Sequence, residues 1–399
     1  MKNVKILETD ILIFGGGIAG LWTLGRLHQA GYRCLLLESG CIGGVQTPAS
    51  QGIIHGGTKY ALTGKLTGSS QAIRAMPGIW RDALAGHGEL DLSAVRILSD
   101  HQYLWSTAGL VSRMAGFFAG KVMQSRIGEV EGENRPRLFQ DTAFKGHVYR
   151  LEEPVLDVAS LVEELFRQYG RYTLQVDWPD GIKFDVANQL VLLGDKGEKL
   201  QIRSRRTLLT AGAGNEALLR RLGLNQPAMQ RRPLQMVMLR GKLPPLFAHC
   251  LGAGANPRLT ITSYPLADGD HVWYLGGDIA EEGVDRSAQA QVSAAKRELQ
   301  ALMPWVDLSA VEWSTLEVDR AEPRQPGGKR PDNSYLEQLH DVMVAWPTKL
   351  AFAPRLAQQV IDRMQQDGII PSKGELKIPE GWPRPPVTRL PWEQERQWF

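Results

Sequence analysis

ILIFGGGIAGLWTLGRLHQAGYRCLLLE, residues 11–38, is the stretch that decides the fold. Ile11 to Phe14 reads as a buried strand and Gly15-Gly16-Gly17-Ile18-Ala19-Gly20 as a glycine turn. Leu21 to Ala30 reads as a helix, and Cys34 to Leu37 as a second apolar strand that ends in Glu38. Each part has a physical job. Gly15 permits the tight turn, Gly17 lets a pyrophosphate approach the backbone, and Gly20 lets helix and strand pack closely. The helix start at Ile18 and Ala19 offers N–H groups and a partial positive charge to phosphates. Glu38 is suited to accept hydrogen bonds from an adenosine ribose. A glycine motif alone is weak, whereas strand, glycine turn, helix, strand and acid in this order form a dinucleotide-binding unit.

Bulk properties narrow the remaining classes. A chain of 399 residues is long enough for one large or two interlocked domains. A formal net charge of +3 gives no electrostatic ground for a nucleic-acid partner. The basic runs Arg203-Ser204-Arg205-Arg206 and Arg231-Arg232 read as solvated strand ends. Cys34, Cys41 and Cys250 are too few and too scattered for a disulfide framework or a zinc site, which suits a reducing compartment. No apolar run reaches the length of a membrane-spanning helix, and Met1 to Asp10 has no signal-peptide pattern. The expectation is a cytoplasmic protein. Gly109 to Met123 carries apolar residues at one-face helical spacing. Packing on the core and a peripheral membrane contact are both readings of that face.

Further along, helices are expected at Gln71 to Leu84, at Val158 to Tyr169 behind an Asp157 N-cap, and at Asn215 to Leu222. Others are expected at Ala288 to Leu302 and Pro354 to Gln366. Strands are expected at Val95 to Trp105, Arg206 to Leu209 and Val342 to Trp346, with antiparallel alternation through 231–278. Arg320 to Asn333 reads as a polar, turn-rich segment. The expected fold class is α/β. A Rossmann-like nucleotide-binding domain would come from 1–75, 150–225 and 320–370. A second, antiparallel-sheet substrate domain would come from 76–149 and 226–319, and a proline- and tryptophan-rich tail from 371–399 would lie extended over the surface of the domains or of a neighbouring subunit.

The segments GGGIAGLW (15–22), LLLESG (35–40), SQGIIHGGTKYAL (50–62) and EPVLDVASLVEEL (153–165) together resemble the D-amino-acid-oxidase superfamily of FAD-dependent oxidoreductases. LLTAGAGNEALLRRLGL (208–224) and KLAFAPRLAQQVIDRM (349–364) add to that resemblance. Ile54-His55-Gly56-Gly57-Thr58-Lys59-Tyr60 looks like a segment of the aerobic glycerol-3-phosphate dehydrogenases. The run SQGIIHGG is also similar to one in L-2-hydroxyglutarate dehydrogenases. Pro347-Thr348-Lys349-Leu350 is similar to a G-G-K-L segment of the first group, with both glycines replaced.

The resemblance implies FAD as the cofactor, which would supply the redox chemistry while the protein binds and orients it. It implies that Ser39, Thr47, Ser50, Gln51, Gly212, Gly214, Thr348 and Leu350 lie along the cofactor, and that Lys349 places a cation near the flavin ring. His55 has the chemistry of a general base, and three roles stand beside each other: a structural turn histidine, a base, and a covalent flavin attachment point. Arg320 and Arg324 would present guanidinium groups to an anionic substrate. The implied reaction takes hydride from a carbon bearing a hydroxyl, in a small anionic 2-hydroxy acid or polyol phosphate. Oxygen or a quinone-like compound would be the second acceptor. An amino acid or secondary amine oxidase, a flavin monooxygenase and a non-catalytic FAD-binding assembly protein are the alternatives. A homo-oligomer stays open.

Overall fold

The computed structural model describes residues 5–57, 68–107, 127–184, 190–194, 198–252, 256–372 and 374–399. The Gly109 to Met123 helix and the Thr58-Lys59-Tyr60 end of the histidine segment lie outside the described residues.

The first sheet places its strands in the order Tyr335–Leu339, Val342–Trp346, Lys199–Leu209, Lys5–Phe14, Cys34–Glu38 and Thr173–Gln175. The four inner pairings from Val342–Trp346 to Thr173–Gln175 are parallel. Ile182–Phe184 and Leu190–Leu193 extend it as an antiparallel annex on Lys199–Leu209. The first strand starts earlier than its apolar run. Ile11–Phe14 has a partner on both edges, whereas its opening half pairs only with the start of Lys199–Leu209. Residues buried on both faces read as a continuous apolar run, which is why only 11–14 stand out in the sequence. Asp10 in that strand is wholly buried. Burial pushes its carboxyl up, but hydrogen bonds from Ser372, Arg33 and Arg205 outweigh this and hold it below the usual aspartate range.

The helix Ile18–Gln29 packs between Val158–Tyr169 and Ala353–Gln366. Asp157 caps Val158–Tyr169 by accepting from the N–H groups of Ala159 and Ser160 at 3.0 and 3.2 Å.

The second sheet runs Glu312–Pro323, Met229–Gly241, His271–Gly276, Leu259–Pro265, Ala248–Cys250, Gln102–Ser106, His147–Leu151 and Ile127–Glu129. Its side chains alternate between two faces. Val237, Leu239, Trp273, Leu275 and Trp313 form one core with the helix Ala288–Leu302. Met236, Met238, Tyr264 and Tyr274 form another around Trp392.

Two expectations are corrected. Val95 to Trp105 is not one strand: Ile97–Ser99 pairs with Val155–Leu156, and Gln102–Ser106 enters the second sheet. Between them Ser99 Oγ donates to His101 O and closes a turn. Arg320 to Glu322 is not turn-rich loop but the end of a twelve-residue strand, paired in register from Arg240↔Glu312 to Met229↔Pro323. Charged residues on that strand hide its alternation.

The tail from Pro371 touches both sheets. Ile42 N donates to Pro386 O at 2.7 Å, Thr388 N donates to Ile42 O at 2.8 Å, and Gln175 N donates to Pro383 O at 2.9 Å. Trp313 and Phe399 exchange two backbone hydrogen bonds, so the tail covers an edge strand of the second sheet. No described helix is long and apolar enough to cross a membrane. Among the described residues no cluster of three or more metal-ligating side chains occurs.

Candidate active site

A cavity of about 1080 Å³ lies between the glycine turn and the second sheet. At its nucleotide end the three motif glycines do three different things. Gly15 has φ +101°, and a Cβ there would stand 2.5 Å from Ala211 Cα. A Cβ on Gly20 would stand 1.9 Å from Gly15 O, so helix and strand meet only because it is glycine. A Cβ on Gly17 would meet nothing nearer than Thr47 Oγ1 at 3.4 Å. That position is open and faces the cavity. The Ile18 N–H is not exposed to a ligand, as the helix start suggested. It donates to Thr47 Oγ1 at 3.1 Å, so Thr47 braces the turn.

Glu38 accepts from Gly16 N at 2.6 Å and from Gly40 N at 2.7 Å, one bond per oxygen. Each oxygen keeps a second lone pair, and the side chain borders the cavity. Ala19 is buried on the same wall, and Ser39 lies exposed at the rim. Gly212 and Gly214 line the opposite wall. Trp346, buried at the end of its strand, donates from Nε1 to Gly212 O at 3.1 Å and pins that turn.

Deeper in, Ser50 lines the cavity with a buried Oγ that has no hydrogen-bond partner among the described residues. Gln51 turns to the second sheet, donating to Tyr274 O at 2.9 Å. Tyr264 and Tyr274 are core residues around Trp392, not cavity wall. Thr348, with φ +62°, donates to Asn333 O at 2.9 Å. Lys349 starts the short turn Leu350–Phe352 with Nζ 5.2 Å from the Phe352 ring centre, and Thr348, Lys349 and Leu350 all reach the cavity.

The other end carries two groups of titratable side chains. His55 is half-buried, with Nδ1 3.6 Å from Glu153 Oε2 and its ring stacked at 5.6 Å on His249. His249 is buried and its Nδ1 lies 2.7 Å from Thr260 Oγ1. The second group is a set of arginines around two acids. Arg320 Nη2 donates to Glu281 Oε1 at 3.1 Å. Arg232 pairs with Glu281 at 3.2 Å and with buried Glu322 at 3.3 Å. Burial, then the nearby Arg232 and Arg330, push the Arg320 guanidinium below the usual arginine range. Arg330 lines the cavity, and its buried Nε has no hydrogen-bond partner among the described residues. Arg324, expected beside Arg320, is exposed and lies in a separate cleft with Gln226, Pro326 and Tyr335. Adjacent even-numbered positions on the strand share a face, but Arg324 lies one residue past its end.

Sequence reading missed His249, Glu153, Arg232, Glu281 and Arg330 as cavity residues or their partners. Glu153 carried a signal, since it opens the EPVLD segment. His249 sits in a three-residue strand and carried none.

The residues fit FAD. Gly17 leaves a cradle that a Cβ would fill, the Ser50 hydroxyl is buried without a partner, and Glu38 keeps acceptor capacity.

The family model described as FAD dependent oxidoreductase (DAO) matches residues 10–336. A probable FAD-dependent oxidoreductase of Pseudomonas aeruginosa is 51% identical over 391 residues, covering 98% of each chain. The crystal structure of the Pseudomonas aeruginosa FAD-dependent oxidoreductase superposes with a TM-score of 0.84 at 47% identity, covering 98% of this chain and 99% of that one. The L-α-glycerophosphate oxidase of Mycoplasma pneumoniae with FAD bound shares the fold, with a TM-score of 0.63 at 13% identity over 96% of this chain and 99% of that one. So does glycine oxidase of Geobacillus kaustophilus, at 0.62 and 15% over 94% and 100%. The family model spans most of the chain and a relative of about half-identical sequence covers nearly all of it, so the chain belongs to the DAO family of FAD-dependent oxidoreductases.

Proposed function

We propose that this FAD-dependent oxidoreductase oxidises a small anionic substrate at a carbon bearing a hydroxyl, a 2-hydroxy acid or a polyol phosphate. The observation that carries this is the arginine group. Arg232 and Arg320 share Glu281, Arg232 also pairs with Glu322, Arg330 adds its charge beside Arg320, and the buried Arg330 Nε lacks a partner among the described residues. A buried N–H donor left without a partner is costly unless a ligand completes it. A carboxylate or phosphate matches its fork of donors.

In this reading Gly15, Gly17, Ala19, Glu38, Ser39, Ser50, Gly212, Gly214, Thr348 and Leu350 hold FAD, with Thr47 and Gln51 bracing the walls. The first sheet carries the cofactor and the second covers the substrate. FAD supplies the two-electron acceptor for a hydride. Arg320 and Arg330 fix the anionic end of the substrate, and Lys349 favours negative charge on the flavin ring. His55 takes the hydroxyl proton. A hydroxyl must give up its proton as the carbonyl forms, and a base in the cavity meets that need. Oxygen or a quinone-like compound accepts the electrons afterwards.

Anaerobic bleaching of the oxidised-flavin absorbance tests this. Hydroxy acids or polyol phosphates are expected to bleach the protein. Bleaching by amino acids or secondary amines alone overturns the alcohol reading. Silence from every compound, while dithionite still reduces the flavin, overturns the small-molecule substrate.

A further inference from the structure

We propose that Glu153 is the positioning residue of His55, and that the two form a charge-paired unit for removing the substrate proton. This rests on the reading of His55 as proton acceptor.

Three observations converge. Glu153 is 4% exposed, and its Oε2 lies 3.6 Å from His55 Nδ1. Its Oε1 accepts from Gly56 N at 2.6 Å, so one carboxylate fixes both the ring of His55 and the backbone that follows it. Oε2 also accepts from Nε2 of Gln102, which is wholly buried on the adjoining strand. A Cβ on Gly56 would come within 3.1 Å of Glu153 Oε1, so glycine there lets the carboxylate sit this close. The ring plane has its own support. His55 stacks on His249 at an interplanar angle of 22°, and His249 is held at Thr260 Oγ1. Two titratable groups of the described residues are thus set against His55: Glu153 at its edge and His249 at its face.

A buried carboxylate is expensive, and its two oxygens accept here from Gly56 N and Gln102 Nε2, of which a neutral amide would keep one. What the amide would not do is select a tautomer and offset an imidazolium. Glu153 Oε2 stands 3.6 Å from Nδ1, an ion-pair contact, and a carboxylate on that side favours the proton on Nδ1 and leaves Nε2 to take the substrate proton. The substrate O–H bond breaks and an Nε2–H bond forms. The positive charge that appears on the ring faces a negative charge already in place. The carbon loses its hydride to FAD, so the substrate gives up one proton and two electrons with the second hydrogen and becomes the carbonyl. Glu153 acts through His55 and does not touch the substrate.

The test uses the FAD-loaded protein and the variants Glu153→Gln and Glu153→Asp. In the first measurement, NMR of ring-labelled histidine follows His55, assigned by its loss in His55→Gln. The His55 ring is expected to titrate at lower pH in Glu153→Gln than in the native protein, and Glu153→Asp is expected to restore most of the difference. In the second, the anaerobic bleaching rate is followed against pH with the active hydroxy compound. Glu153→Gln is expected to slow bleaching by about 10² at neutral pH, to move the acid limb of the profile with the His55 titration, and to leave KM within about threefold. An unchanged His55 titration in a folded, FAD-loaded Glu153→Gln protein overturns the proposal whatever the rates. A panel in which nothing bleaches overturns the substrate reading alone, because the titration still decides the pair.

Discussion

Glu38, which borders the cavity, and Glu153, which stands behind the cavity residue His55, are two acids supported in different ways. Glu38 accepts from Gly16, 22 residues away across one strand–helix–strand unit. Glu153 accepts from Gly56 and Gln102, 97 and 51 residues away, and joins a loop of one sheet to a strand of the other. The site at the glycine turn is local backbone geometry with one side chain added. The site at His55 is side-chain chemistry that exists only once both sheets are in place. The first kind of site fails when a backbone cannot approach another. The second fails when a charge loses its partner.

The largest effect expected from this contrast is at Gly20. Gly20→Ala forces a Cβ to 1.9 Å from Gly15 O. The helix must shift, at a cost of about 3 kcal/mol. Urea unfolding and the flavin-to-protein absorbance ratio should both fall together. A variant with native stability and full flavin would show that the turn adapts, and the contrast would break. Next comes Arg330→Met, which keeps an apolar stem but removes the guanidinium. Loss of charge-assisted hydrogen bonds worth about 1.5–3 kcal/mol predicts a KM for the anionic substrate raised roughly 10- to 100-fold, with flavin content and stability unchanged. An unaltered KM would remove the anion from the substrate end. The smallest effect is at Glu38→Gln. The amide keeps one acceptor, so loss of about 1 kcal/mol predicts an FAD Kd raised about fivefold. The pH profile of bleaching should not move. A moved profile would mean that the two ends are electrostatically coupled and not separate.

The nucleotide end was legible because everything needed to read it lies within residues 11–38. Gly15, Gly20 and Glu38 stand where the turn, the close packing and the acid were expected. Thr47 was expected along the cofactor, and what escaped was that its hydroxyl takes the Ile18 N–H from a loop of its own. At the substrate end the reading found His55 and Arg320 as residue types suited to the chemistry. Their partners lie elsewhere in the chain. Arg320 was expected in a loop because Glu317, Asp319, Arg320 and Glu322 break the apolar alternation. Those charges sit on an edge strand bordering the cavity, where polar residues are tolerated. Arg324 was placed with Arg320 by proximity in sequence, and the strand ends between them. The histidine pair depends on a stacking of residues 55 and 249 that no local pattern encodes.

The pairing of the first strand has a consequence in time. Lys5 lies against Leu200 and Phe14 against Leu209, so one edge of the opening strand pairs with residues made about 195 positions later. At typical synthesis rates that edge waits roughly 10–40 s. The other edge is covered almost at once by Cys34–Glu38, but only along Ile11–Phe14. An unpaired apolar edge is a template for joining other chains. Glu8 and Thr9 interrupt the apolar ribbon in the half that waits longest. The buried Asp10 gathers its partners over the same interval: Arg33 follows 23 residues later, whereas Arg205 and Ser372 follow 195 and 362 residues later.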